Sequence, residues 1–199
     1  MANTPCLDQL FKSKFFTTLK AHGRAVGMPT DEDMGNSEVG HNTLGAGRIF
    51  PQGATLVNQS IEKGAIFTTP IWTQLIRRVQ QNNSTFHFIG LLSDGNVHSH
   101  INHLFSLIGR CQKEGIKKIR IHALLDGRDV FEKSALTYLK KTEELLTSIH
   151  RNLGYDYRIA SGGGRMTTTM DRYNADWAIV KRGWDAHVLG KAQRFKSVI

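Results

Sequence analysis

The sequence predicts an α/β fold in which helices cover a parallel β-sheet, and two observations support that prediction. Strand-sized apolar runs alternate with segments whose apolar residues recur at helical spacing, in the order β-α-β-α-β-α. Each of the three apolar runs is followed by a polar segment that contains glycine. Because the carboxyl ends of parallel strands meet at one edge of a sheet, these segments are expected to form a binding site together.

The first strand is predicted over residues 85–92, which alternate at the start and become fully apolar at the end, as in a buried strand. A helix follows, with Ser99 as its expected N-cap and Gly115 just past its end. Its apolar face is formed by Ile101, Leu104, Phe105, Ile108 and Cys111.

The second strand is predicted over residues 116–125, and Ser134 is expected to open the helix after it. That helix presents Leu139, Leu145, Leu146 and Ile149 on its apolar face. The third strand is predicted over residues 155–160. A last helix is marked by Tyr173, Trp177, Val180 and Trp184, and its two tryptophans are expected to pack on the helix face.

The N-terminal third has a different organisation. Residues 7–19 predict a helix, residues 22–27 a strand and residues 54–63 another helix. Residues 82–84 are expected to form a turn between this region and the first strand of the sheet.

Composition excludes several classes of protein. The chain has 199 residues, 40% of them apolar and 22% charged, as in an ordinary globular protein. Its longest apolar runs are strand-sized, its start does not resemble a secretory signal, and its two cysteines cannot make a disulfide scaffold. The net charge of +9 would suit nucleic acid, but the basic residues are dispersed, so a small anionic substrate is the favoured partner.

Ser37 lies in the segment Gly35-Asn-Ser-Glu-Val-Gly-His41, ahead of a helix-like run. At a helix N-terminus its hydroxyl would face backbone N–H groups that favour anions, so it could act as a nucleophile that carries a phosphoryl group. It could equally be an ordinary N-cap serine between turn glycines.

Histidines at positions 98, 100 and 103 invite two interpretations. His100 and His103 would lie one helical turn apart and could bind a metal, although no nearby cysteine or carboxylate completes a zinc pattern. They could also be a surface or packing pair. His98 could hydrogen-bond or protonate an anion.

Two further segments carry arginines next to glycines. In Asp126-Gly-Arg-Asp129, Arg128 could bind a carboxylate or phosphate while one of the two aspartates orients a hydroxyl, or the turn could be stabilised by its own ion pairs. In Ser161-Gly-Gly-Gly-Arg165, followed by Asp171-Arg172, the glycines would let the backbone approach an anion, or the segment could be a mobile surface loop.

Two of the three histidines, His98 and His100, belong to the motif Ser93-Asp-Gly-Asn-Val-His-Ser-His100. This motif and the other three, in this order, resemble cofactor-independent phosphoglycerate mutase of the alkaline phosphatase superfamily, and the plant and trypanosomatid branch in particular. The resemblance implies that residues 53–199 form a substrate-binding transferase domain and that residues 1–52 are part of a phosphatase domain. It implies a cytoplasmic, monomeric glycolytic isomerase that binds neither nucleic acid nor membrane.

The resemblance also implies residue roles. Ser37 would take the phosphoryl group from 3-phosphoglycerate, return it to the 2-hydroxyl, and be a metal ligand. His98, Arg128, Asp129, Arg165 and Arg172 would bind the substrate. The complete enzyme would hold two manganese ions, or magnesium or cobalt, and no organic cofactor.

Some expected features are missing. The family's first metal-binding aspartate precedes the start of this chain, most other metal ligands would follow residue 199, and Asn96 replaces a glycine. The resemblance therefore implies a fragment with little activity by itself. The alternative is a non-catalytic domain that binds phosphoglycerate or another anion without metal chemistry.

Overall fold

The computed structural model describes residues 2–168 and 176–198. Three parallel strands form one sheet in the order β1 (Phe86–Leu92), β2 (Lys118–Leu125) and β3 (Asp156–Gly164). The helices α5 (Ile101–Lys113) and α6 (Ala135–Leu153) make the crossovers between consecutive strands. The predicted α/β class, with a parallel sheet and covering helices, is confirmed.

The main core lies between this sheet and its helices. Alternate residues of β2 point into it, and Ile119, Ile121 and Ala123 are at most 2% exposed. The helices supply the other side, including Ile108 and Cys111 of α5, both fully buried. The helix α4 (Pro70–Gln81), which precedes β1, adds Trp72 and Ile76. This packing fixes the ends of the strands, from which the polar segments start.

The N-cap of α5 differs from the prediction. The cap is His100, whose Nδ1 accepts the Asn102 N–H at 3.1 Å, and the Ser99 hydroxyl instead donates to the Leu91 carbonyl at 2.7 Å. Ser99 therefore fastens the loop to β1 rather than starting the helix. The strand β2 also begins two residues later than predicted, because Ile116 is buried in the turn before it.

The predicted loop at Ser161–Gly164 is wrong, because these residues continue β3. They pair in parallel register with His122–Leu125 of β2. The register shifts between Ile121 and His122, since Ile121 pairs with Ile159 and His122 with Ser161. Ala160 is thus left over as a one-residue bulge, and the glycines form a sheet edge instead of a mobile loop.

The N-terminal region is less helical than predicted. The helix α1 spans Pro5–Phe11 only, and the following residues stay outside regular structure, with Phe15 86% exposed. The predicted strand at 22–27 is a 3₁₀ turn, Gly23–Val26, closed by Gly27 at φ 84°.

Two helices complete this region. They are α2 (Ser37–Ala46) and α3 (Gly53–Glu62), the latter as predicted. A small core of Val26, Met28 and Val39, with Ala54 against it, joins the 3₁₀ turn, α2 and α3. The division of the chain at residue 52 stays a prediction.

The C-terminal region contains a short helix, α7 (Arg165–Thr168), and α8 (Trp177–His187). Trp177 and Trp184 are 64% and 58% exposed, so the expected packing of these tryptophans is wrong. Arg172 and Tyr173 lie outside the described residues. Within the described ranges no helix has the length and hydropathy needed to cross a membrane.

Candidate functional site

The polar segments that follow the strands do converge at one edge of the sheet. The Ser93 hydroxyl, directly after β1, donates to Asp126 Oδ2, directly after β2, at 2.6 Å. Arg165, directly after β3, places its Nη1 3.2 Å from Asp126 Oδ1. Parallel strands with short, regular crossovers bring about this convergence.

Asp126 is the centre of this network, and its side chain is only 2% exposed. Its Oδ1 accepts the backbone N–H groups of Arg128 and Asp129, each at 3.1 Å, so the carboxylate also shapes the turn. Burial by itself would raise the pKa of Asp126. Hydrogen bonds from Ser93, the two amides and Arg165 outweigh burial and hold this pKa below its usual value.

Arg165 is placed differently from the accessible anion-binding arginine that its motif suggested. Its side chain is 3% exposed, and Nη1 contacts Asp129 Oδ2 at 2.7 Å as well as Asp126. A buried guanidinium between two carboxylates is neutralised in place. Arg165 therefore holds Asp129 in position instead of facing solvent.

His98 and Arg128 are the accessible cationic groups of this edge. His98 is half-exposed, and its Nε2 lies 3.9 Å from Asp129 Oδ2, an ion pair only when the imidazole is protonated. Arg128 is exposed and makes a 4.0 Å contact from Nη1 to the Met166 sulfur. Both side chains are therefore accessible to an anion from solvent.

A groove of about 1070 Å³ runs along this edge. Arg128 and Asp129 line the groove, whereas His98 lines a smaller cavity of about 270 Å³ that shares His100 and His103 with it. The expectation of a single pocket formed by His98, Arg128 and Arg165 is thus met in part. Arg128 borders the groove, His98 is next to it, and Arg165 lies beneath.

The lining of the groove also contains other carboxylates besides Asp129. They are Glu32, Asp33, Glu62 and Asp94. Asp94 Oδ1 accepts the Tyr138 hydroxyl at 2.6 Å, and burial together with this contact raises the pKa of Tyr138 to about 12. These carboxylates repel an anion, so an anion in the groove would be attracted to the Arg128 guanidinium.

Ser37 is the first residue of α2, as its motif predicted, but it is not the cap. Asn36 is the N-cap, and its Oδ1 accepts the Val39 N–H at 2.9 Å. Ser37 is exposed and does not line the groove. Its hydroxyl is therefore available to a ligand outside the groove.

His41 lies one turn further along α2, facing Ser37. Its Nδ1 lies 2.6 Å from the Ser37 carbonyl oxygen and 3.2 Å from the Ser37 Oγ. A carbonyl can only accept, so Nδ1 carries the proton in this contact and has no lone pair for the serine hydroxyl. In this arrangement His41 is not a base for Ser37.

The metal interpretation of His100 and His103 finds no support. The His103 Nε2 is hydrogen-bonded to Asn58 Oδ1, and the Nδ1 of His100 is used in the cap of α5. Burial and the nearby His100 lower the pKa of His103. Across residues 2–168 and 176–198, no three histidine, cysteine, aspartate or glutamate side chains are grouped so that they could hold a metal ion.

Sequence reasoning left two residues of the network out of the predicted site. They are Ser93 and Asp126, each the first polar residue after a buried apolar strand. That position was the available signal, because the first polar side chain beyond a parallel strand points into the edge where ligands bind.

A family profile, curated relatives and a solved structure all indicate similarity to the same kind of protein. The family profile described as the N-terminus of BPG-independent PGAM, that is 2,3-bisphosphoglycerate-independent phosphoglycerate mutase, matches residues 57–199. A probable enzyme of this name from Leptospira interrogans is 56% identical over 196 residues, which is 98% of this chain. The enzyme of Trypanosoma brucei brucei is 53% identical over 99% of the chain.

A solved structure, the phosphoglycerate mutase of Leishmania mexicana at low cobalt concentration, superimposes over the entire chain. The TM-score is 0.91 and the identity is 52%. This chain spans 36% of that structure and 36% of the length of each of the two relatives named above.

Proposed function

Because the chain belongs to the BPG-independent phosphoglycerate mutase family, we propose that it supplies the nucleophilic serine and part of the substrate pocket of a mutase. The reaction is the interconversion of 3-phosphoglycerate and 2-phosphoglycerate. The observation that carries this proposal is the sheet edge, where exposed Arg128 and half-exposed His98 border an Asp129 that is held by buried Arg165.

The substrate carries a carboxylate, a phosphate and a hydroxyl, and this edge offers a complement to each. Arg128 can donate two parallel hydrogen bonds to the carboxylate or the phosphate, and His98 can donate one to the other anion. Asp129 can accept the hydroxyl, since Arg165 fixes its carboxylate at 2.7 Å. Arg172 is proposed as a further anion contact on the strength of the resemblance alone.

Ser37 is proposed as the phosphoryl carrier. The bond from phosphorus to the substrate's 3-oxygen breaks as a bond from phosphorus to the serine Oγ forms, and the serine proton ends on the 3-oxygen. Transfer to the 2-oxygen reverses these changes and returns the proton to the serine. His41 is not a base for this step, so another group must accept the serine proton.

The resemblance implies two divalent ions, but the described residues of this chain do not fit such a centre. Ser37 would be one ligand, and its neighbour His41 is hydrogen-bonded to the backbone. We propose that the other metal ligands of the family lie in the part of the longer relatives that this chain does not span.

Calorimetric titration with 3-phosphoglycerate tests the pocket. Arg128→Ala should weaken binding at least about tenfold, because it removes a charge-assisted contact worth about 1.5–3 kcal/mol. Arg158→Ala is the matched control. Arg158 is exposed, as Arg128 is, but it pairs with Asp156 and belongs to the start of β3, away from the candidate site. Equal affinities of the two variants would contradict the proposed pocket.

Turnover tests the incomplete metal centre. The purified chain with added Mn²⁺ is expected to show at most trace mutase activity. Rapid turnover that Ser37→Ala abolishes would show that this chain assembles a working centre on its own.

A second function, an anion-binding domain without transfer chemistry, is favoured by the missing group of metal ligands in the described part of the chain. It predicts 3-phosphoglycerate binding that is the same in chelator and in Mn²⁺, and the same in Ser37→Ala. Incorporation of ³²P at Ser37 from labelled substrate would exclude it.

A further inference from the structure

We propose that Asn96 is a positioning residue that clasps the serine-bearing N-terminal segment to the sheet edge through Asp33. Both residues line the groove, and they are joined by a hydrogen bond from Asn96 Nδ2 to Asp33 Oδ1 of 2.6 Å. They are 63 positions apart in the sequence, so the bond joins two distant regions of the chain.

Asn96 is built for this contact. It is 7% exposed and adopts φ 57°, a left-handed conformation that asparagine tolerates better than most residues. A buried amide that donates to a carboxylate is a strong hydrogen bond, because its acceptor is charged.

Asp33 organises the other side. Its Oδ2 accepts both the N–H and the hydroxyl of Thr30, at 2.7 and 2.9 Å, and its carbonyl accepts the Gly23 N–H at 3.0 Å. A displacement of Asp33 would consequently carry residues 23–33 with it.

The connection continues to Ser37. Gly35 is packed so closely that a Cβ there would lie 2.0 Å from the Ala21 carbonyl oxygen, and Asn36 then caps α2. The same segment is held to α3 by the Gly27 carbonyl, which accepts the Gln52 N–H and the Thr55 hydroxyl. The Asn96–Asp33 hydrogen bond thus also connects this segment to the loop after β1, which carries His98.

Two consequences follow. The clasp limits how far the N-terminal segment can separate from the loop after β1, and it fixes the position of the Ser37 helix relative to the His98 loop. The first depends only on the contacts above. The second rests on the proposed function, in which Ser37 and His98 act on one substrate.

Asn96→Gly removes the clasp without backbone strain, because glycine accepts positive φ. Asn83→Gly is the matched control, since Asn83 also has positive φ, 44°, and lies in the exposed turn after α4. Amide hydrogen exchange of a peptide covering residues 21–36 should quicken about tenfold in N96G and stay unchanged in N83G, as loss of a buried hydrogen bond to a charge predicts. Equal exchange in the two variants would overturn the clasp.

An exchange of partners supplies a second test. The variant N96D places two carboxylates together and should quicken amide exchange at least as much as N96G. Adding D33N to it restores an amide–carboxylate pair, in which residue 33 now carries the amide and residue 96 the carboxylate. Protection that returns in the double variant supports the clasp, and protection that stays lost overturns it.

Titration with 3-phosphoglycerate separates this inference from the proposed function. Weaker binding by N96G than by N83G is expected, and equal binding would overturn the positioning role. If the unaltered chain does not bind 3-phosphoglycerate, the proposed function fails for this chain and the positioning role fails with it, while the exchange measurements still decide the clasp.

Discussion

At the scale of single residues, Asp126 has the most consequential environment in the molecule. Its two oxygens accept hydrogen bonds from Ser93, two backbone amides and Arg165, and the side chain is 2% exposed. Removing its charge would leave Arg165 buried beside a single carboxylate, Asp129. The turn that carries Arg128 would lose its anchor at the same time.

We expect Asp126→Asn to lower the free energy of unfolding by about 3 kcal/mol, as for other buried pairs that lose one charge. Asp156→Asn is the comparison, because Asp156 is ion-paired too, to two arginines, but its side chain is 34% exposed. That change should cost about 1 kcal/mol or less. Urea unfolding of both variants measures the difference, and similar midpoints would refute the central role of Asp126.

How far the site follows from sequence can be judged residue by residue. The positions of Arg128 and Asp129 follow from a buried strand that ends in a polar turn, and the structure agrees. The burial of Arg165 does not follow from its motif, because it depends on carboxylates that precede it by 36 and 39 positions. Partners this distant leave no local pattern.

At the scale of elements, prediction succeeded where tertiary packing and local pattern agree. The helices α5 and α6 and all three strands were found because their apolar faces are the core. Residues 12–19 have an apolar pattern, but Phe15 and Leu19 are 86% and 72% exposed, so no buried face supports a longer helix and α1 stops at Phe11. The glycines of β3 have low strand propensity, yet their pairing with β2 makes them a strand.

The glycines at the end of β3 offer a matched pair. An added Cβ at Gly163 would lie 2.4 Å from the Thr168 Oγ1 and 3.0 Å from its Cβ, so α7 would have to move. At Gly162 the nearest atom is 3.6 Å away, an ordinary contact. Gly163→Ala should lower the free energy of unfolding by about 1–3 kcal/mol and hence the melting temperature by several degrees.

Gly162→Ala should leave that temperature nearly unchanged. Differential scanning calorimetry of the two variants decides the point. A reversed order would mean that α7 does not pack closely against the end of β3.

Histidines join four elements on one side of the sheet. His122 of β2 hydrogen-bonds through Nε2 to His87 of β1 at 2.9 Å and through Nδ1 to Ser161 of β3 at 2.7 Å. Ser161 lies 3.4 Å from His187 Nδ1 of α8. Burial, and then the neighbouring His87 and His187, lower the pKa of His122 from 6.5.

This lowered pKa predicts acid sensitivity. His122 is protonated near pH 6.5 in the unfolded chain but only at lower pH in the folded chain. Its contribution to stability is therefore fully present above pH 6.5 and declines as the pH falls below it. His122→Asn should reduce the slope of unfolding free energy against pH by up to about 1.4 kcal/mol per unit. The slope is measured by urea unfolding between pH 8 and 5, and an unchanged slope in the variant would contradict the role given to His122.

At the scale of the whole molecule, the surface of the N-terminal region is unusually apolar. Leu7, Leu10, Phe11 and Phe15 are each more than half exposed, and Phe11 makes an edge contact with Phe16 at 5.0 Å. Exposed apolar side chains in one short stretch favour association with another surface. The monomer expected from the resemblance stays a prediction, and this surface argues against it.

We expect the chain to self-associate at tens of micromolar protein, a concentration at which an apolar contact of modest size becomes occupied. Replacing Phe15 and Leu19 by serine should shift the sedimentation coefficient toward that of a single chain. Ile71→Ser, which alters an equally exposed apolar residue on α4, is the control. A single chain at all concentrations would confirm the monomer instead.

The bulge at Ala160 has a consequence for the whole edge of the sheet. Side chains alternate between faces along a strand, so one surplus residue reverses the phase of everything after it. With Ala160 in place, Ser161 shares a face with His122. If Ala160 instead paired with His122 in unbroken alternation, Ser161 would turn toward the core and Arg165 would rotate off its two aspartates, although no residue with a chemical role had been altered.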